Sequence, residues 1–258
     1  MLRVLDDRPG SHAEVSLARP GPLWVYAHVR ASTDVAELTG LRVLLVADLL
    51  ARIGELSGLQ VLTTWAFTGE PAGKAAAERA AAALGVHPPV LPFADPATSW
   101  PGSPAEVHVA DDGAVGMDDV SGILIRAAAG RLANDALPDG AVAGVPGGQD
   151  PLAVRLALMS VPRDVPTVLT VAELHSAAQT LGEWRRRVAG WAQSPSGAIP
   201  PQVAATLRAA FGNLDVVAVL ALLNGLAADE TVPPGPRFET FVYADRVLGL
   251  DLPRDIGR

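Results

Sequence analysis

Between residues 22 and 84 the chain alternates strand-like and helix-like patterns, and that order restricts its fold more than any other feature. Pro22 to Val29 (PLWVYAHV) is an apolar run of strand length. Val35, Leu38, Leu41, Leu45, Leu49 and Ile53 then follow at close to the helical period, and Gly58 ends that segment. Leu59 to Phe67 (LQVLTTWAF) reads as a second strand, and Gly73 to Leu84 as an alanine-rich helix opened by Pro71 and closed by Gly85. Strand, helix, strand, helix predicts a parallel sheet with helical crossovers.

Beyond this the pattern weakens. Val86 to Pro104 is proline-rich and predicted as loop, Ala105 to Ala110 as a short strand, Asp118 to Asn134 as helix, and Ala141 to Val145 as a last short strand. From Asp150 onward only helices are expected. Asp150 is positioned to cap Pro151 to Ser160, and Thr170 with Glu173 has capping-box spacing for a long helix reaching about Ala192. Pro200-Pro201 opens another helix, Asn213 is a candidate cap for Leu214 to Ala228, and a final helix runs from about Pro236 to Leu248. The expected fold class is therefore α/β, with a Rossmann-like parallel sheet over residues 1–148 followed by an all-α bundle over residues 149–258.

Composition narrows the function classes. The 258 residues are 49% hydrophobic and 19% charged, a globular balance, and no apolar run reaches bilayer-spanning length. The start has no signal-like layout, so a cytoplasmic location is expected. The absence of cysteine removes disulfides, thiolate ligands and a cysteine nucleophile. A net charge of −8 disfavours a phosphate-tracking surface, although tRNA remains a conceivable partner. Lys74 is the only lysine.

Three stretches carry a family resemblance. Val25-Tyr26-Ala27-His28 through Asp34, then Glu37 to Arg42 and Ala47 to Arg52, are similar to an opening strand, signature turn and first helix, with Tyr26, Asp34, Arg42, Asp48 and Arg52 at matching places. Asp150 to Leu158 resembles the helix that follows a catalytic loop. Asn213 to Leu220, followed by Arg237 to Thr240 and Asp245 to Leu252, is similar to the closing helices of a bundle. In order and spacing these resemble the cysteine-activating branch of the class I aminoacyl-tRNA synthetases, which includes cysteinyl-tRNA synthetase and the mycothiol cysteine ligase. The chain is about half the length of a full synthetase of that kind.

That resemblance implies an adenylating site whose groups have been replaced here. Where the family has His-Ile-Gly-His, this chain has Glu37-Leu38-Thr39-Gly40. The paired lysines of the second signature have no counterpart, because Lys74 stands alone and elsewhere. His28 falls where the family's first cysteine zinc ligand would be, with no clear partners for it. Zinc and ATP are therefore not expected as cofactors, and no catalytic residue is assigned.

The leading expectation is a pseudoenzyme with a binding or regulatory role. Its remnant ligand pocket would lie at Ala27, His28, Val29, Asp34, Glu37, Thr39, Gly40 and Arg42, open to a small ligand or a protein partner of unknown identity. An ATP-dependent ligase or transferase using Arg30 or Arg42 as phosphate-binding group, and a tRNA-binding accessory, are the alternatives. No membrane partner is expected. Arg185-Arg186-Arg187 reads as a solvated helix face, and Asp111-Asp112 and Asp118-Asp119 as polar loop.

Overall fold

The computed structural model of the protein describes residues 6–8, 21–90, 107–114, 116–117, 120, 122–136 and 150–258. The opening alternation folds as its periods dictate: β1 (Leu23–Arg30), α1 (Thr39–Leu56), β2 (Val61–Thr68) and α2 (Pro71–Ala83). Together with β3 (Val107–Asp111) and β4 (Ile123–Ala127) they give a wholly parallel sheet in the order β2-β1-β3-β4. Leu23, Val25, Ala27 and Val29 of β1 turn one face into the core, while Trp24, Tyr26 and His28 are only half-buried on the other. α1 is buried on most of its circumference, as a helix must be when it lies between two packed layers.

The expected helix over Asp118 to Asn134 is instead strand β4 and a second short strand, β5 (Gly130–Leu132). The run Ala127-Ala128-Ala129 suggests helix, but Ile123-Leu124-Ile125 belongs to a largely buried parallel strand, whose continuous apolar pattern hides its period. β5 pairs in parallel with β6 (Thr167–Leu169), a strand too short to be foreseen. Gly130 is required by a close approach, since a Cβ there would sit 2.7 Å from Cδ of Arg42. The expected strand over Ala141 to Val145, and Asp118-Asp119, lie outside the described residues.

Five helices complete the chain: α3 (Pro151–Met159), α4 (Val171–Trp191), α5 (Pro201–Gly212), α6 (Val216–Ala228) and α7 (Pro234–Leu248). Asp150 accepts from the Leu152 amide and caps α3, and the Thr170–Glu173 capping box opens α4. Asn213 does not cap α6. It closes α5, and Asp215 caps α6 by accepting from the Ala218 amide at 3.0 Å. The reason is a Schellman turn in which the Leu214 amide reaches Phe211 O and the Asp215 amide reaches Ala210 O. That turn places Leu214 at φ 56°, a position glycine normally fills, at a cost of about 1–2 kcal/mol. The leucine side chain is 8% exposed, so its burial offsets the strain.

The expected boundary between an α/β half over residues 1–148 and an all-α half over residues 149–258 lies outside the described residues, and β6, at Thr167–Leu169, falls within the stretch expected to be helical throughout. On either side of that boundary the described residues share one continuous core, running from β1 through α1 and α3 to Trp184, Phe241 and Leu252. Its polar centre is Asp48 on α1. Burial drives that carboxyl upward, but Arg155 at 2.7 Å, Arg52 at 2.8 Å and the His87 amide at 3.0 Å hold it below its ordinary value. Arg155, fully buried on α3, also donates to Leu84 O and Leu248 O, so one guanidinium joins α1, α3, α7 and the end of α2.

Arg185 corrects the expectation for the arginine run. It is 6% exposed and donates to Asp150 and to the carbonyls of Leu250 and Asp251. Arg187 donates to Glu183 and Ala227 O, which leaves only Arg186 on the solvated face that was anticipated for all three.

Candidate functional site

In an open parallel sheet, ligands gather at the carboxyl ends of the strands where the order reverses direction. Here that point lies between β1 and β3, because β1 has β2 on one side and β3 on the other. A cavity of about 450 Å³ opens there, lined by Arg30 at the end of β1 with Ala31 and Ser32 beyond it, Glu37 and Thr39 at the start of α1, Asp111 at the end of β3 with Asp112 and Gly113 beyond it, and Ala129 and Pro166.

Its electrostatics are set by pairs. Arg30 forms an ion pair with Asp111, whose second contact is the Gly113 amide at 2.8 Å. Glu37 reaches Arg131 at 3.6 Å, and Arg131 also meets Asp34 at 3.1 Å. Most decisive is Glu37 Oε1, which accepts from the Thr39 amide at 2.8 Å. The positive end of α1, where a phosphate would be held, is thus already occupied by a carboxylate. Thr39 Oγ1 accepts from the Gly130 amide at 3.2 Å and closes the same turn against β5.

Of the residues expected in the pocket, Glu37 and Thr39 line it. Ala27 and Val29 are each 1% exposed and face the core under α1. Gly40 permits close packing, since a Cβ would lie 3.0 Å from Arg30 O and from Cγ1 of Val29. Asp34 is exposed, caps its own turn through the Ala36 amide at 2.9 Å, and pairs with Arg131. Arg42 is turned away from the pocket mouth. It donates to Ala128 O, Ala129 O and Val165 O through Nη1 and to Pro162 O through Nη2, at 2.7–3.0 Å, with Arg163 O at 3.4 Å. A guanidinium spent on backbone carbonyls is a brace, not a phosphate ligand.

His28 meets a partner that sequence spacing could not supply. Its Nε2 lies 2.9 Å from Nδ1 of His108 on β3, and the two rings stack with centroids 5.2 Å apart beside Tyr26. Burial, and then the neighbouring His108, push His28 down to about 4. One ring donates and the other accepts, so the pair is satisfied when both are neutral. Among the described residues no third histidine, cysteine, aspartate or glutamate joins them in a metal-binding group.

The shift has a sign. Between pH 6.5 and 4 the unfolded chain binds a proton at His28 that the folded chain does not, so stability falls as pH falls through that window. The loss assigned to this residue is on the order of 2–3 kcal/mol. Urea denaturation at pH 7 and pH 4.5 will show a smaller pH dependence in His28→Phe than in the wild type. Equal pH dependence in the two proteins would contradict this.

No family model and no curated protein matches this chain. Among solved structures, a Campylobacter jejuni protein provisionally described as an arginyl-tRNA synthetase is similar over 90% of this chain and 91% of its own, at 9% identity and a TM-score of 0.45. Among the described residues no helix is long and apolar enough to cross a membrane.

Proposed function

We propose that the protein is a non-catalytic relative of the class I aminoacyl-tRNA synthetases, which binds a small molecule at the carboxyl ends of β1 and β3 and acts by binding, as a sensor or recruiting module. The observation that carries this reading is the Glu37 carboxylate on the Thr39 amide. It repels a triphosphate from the start of α1, and the arginines beside the cavity are neutralised by Asp111, Asp34 and Glu37. ATP therefore does not fit these residues. Lys74, the only lysine, lies on α2 against Phe67 and Glu78, well placed for packing and for no phosphate in this cavity. A polar, uncharged or cationic molecule of amino-acid to nucleoside size fits both the volume and the charge.

Thermal denaturation with a net-neutral sulfamoyl analogue of cysteinyl adenylate, beside cysteine and ATP alone, tests this. Binding at a hundred times the dissociation constant adds about 2.7 kcal/mol, or roughly 5–10 °C for a chain of this size. We expect the analogue to raise the melting temperature, Thr39→Trp to abolish the rise, and ATP to leave the midpoint unchanged. Stabilisation by ATP, or a rise that survives Thr39→Trp, would count against the proposal.

A further inference from the structure

A second cavity, of about 320 Å³, is lined by other residues, apart from those of the sheet-end pocket. Its floor is the outer face of α1 (Leu45, Val46, Leu49) and the end of α3 (Leu158, Met159), and its walls are residues 161–164 and the turn 213–217. The strained Leu214 forms part of that wall, so the α5–α6 junction is held in an unfavourable conformation where it borders the cavity. The volume and the mostly aliphatic lining are those of a small-molecule site.

Charge at the rim selects the ligand. Both arginines of the lining are engaged: Arg42 by its carbonyl cradle, and Arg163 by both oxygens of Asp7 and by Arg126 O. The acids are less committed. Asp164 is exposed and has no hydrogen bond or ion pair among the described residues, although its field reaches Arg42. Asp215 uses one oxygen to cap α6. An aliphatic slot with a carboxylate at its mouth that makes no hydrogen bond among the described residues is complementary to a cation with an apolar tail. We propose that this cavity is a ligand site for a protonated amine bearing a short aliphatic or aryl chain, with the chain against Leu45, Leu49 and Met159 and the ammonium at Asp164.

The inference is independent of the reading of the sheet-end pocket, and calorimetry can separate the two. Titration of the full chain with n-hexylamine is expected to give saturable one-to-one binding, with hexanoate at least about fivefold weaker, the scale of one exposed charge pair. Asp164→Asn, at an exposed site without hydrogen bonds among the described residues, should bring hexylamine down to the affinity of hexanol and lower the melting temperature by no more than about 4 °C, the scale of one exposed charge. Val217→Trp should fill the slot and abolish binding of all three probes. Hexanoate binding as tightly as hexylamine, or no saturable binding at all, would overturn the proposal. So would a hexylamine signal that persists in Val217→Trp and disappears in Thr39→Trp, because the amine would then belong to the sheet-end pocket.

Discussion

Replacing Arg155 with alanine will lower the melting temperature by roughly 10 °C. The arginine is fully buried, and its removal strips Asp48 of its closest cation and leaves Leu84 O and Leu248 O facing a void. Breaking one side of a buried ion pair typically costs about 3–5 kcal/mol, because the surviving charge stays desolvated. In a chain of this size each kcal/mol moves the midpoint by roughly 2–4 °C. Asp48 keeps Arg52 and the His87 amide, which places the expected loss at the lower end of that range. Arg155→Met combined with Asp48→Asn should be less damaging than the sum of the two single changes, because the second removes the stranded charge. Simple additivity would mean that the two residues contribute independently and that the pair does not join the halves.

The second large effect is at Arg42. Lysine offers three donors from one nitrogen and cannot span carbonyls contributed by residues 128–129, 162 and 165. Arg42→Lys is expected to cost about 2–4 kcal/mol in chemical denaturation, since hydrogen bonds from a charged donor contribute roughly 1.5–3 kcal/mol and several buried carbonyls lose theirs together. Binding of the adenylate analogue by the folded fraction should change little. The opposite pattern, unaltered stability with lost binding, would make Arg42 a ligand-contacting group and revive the enzyme alternative.

These two arginines explain which part of the chain was legible from its sequence. Arg42, Asp48 and Arg52, among the positions that carry the synthetase resemblance, are braces: Arg42 ties α1 to the β5–β6 region, and Asp48 with Arg52 and Arg155 ties it to the helical half. A resemblance built on scaffold residues reports architecture well and chemistry poorly. The strands and helices up to Ala83 could be read because each keeps its own period and its own punctuation. β4 could not, because a largely buried parallel strand running into alanines has no period to show, and β5, three residues long, is too short to show one.

The site was half legible. Glu37 and Thr39 could be found because they sit at a signature turn. His108, Asp111 and Gly113 could not, because their place beside β1 depends on strand order, which no local pattern encodes. The alternation of strand faces was the available signal for Ala27 and Val29. Lying between the half-exposed Tyr26, His28 and Arg30, they had to face inward, away from any open pocket. Arg185 shows the same limit for charge runs: three adjacent arginines on a helix point in three directions, and one of them points at the core.

We propose that the helix end guarded by Glu37 does not support adenylation. Amino-acid-dependent pyrophosphate exchange, run with each of the common amino acids on protein that the adenylate analogue stabilises, tests it most directly. We expect no exchange above the enzyme-free rate for any amino acid. Exchange that requires one amino acid and is lost in Thr39→Trp would contradict it, and would make the protein a catalyst with an altered signature.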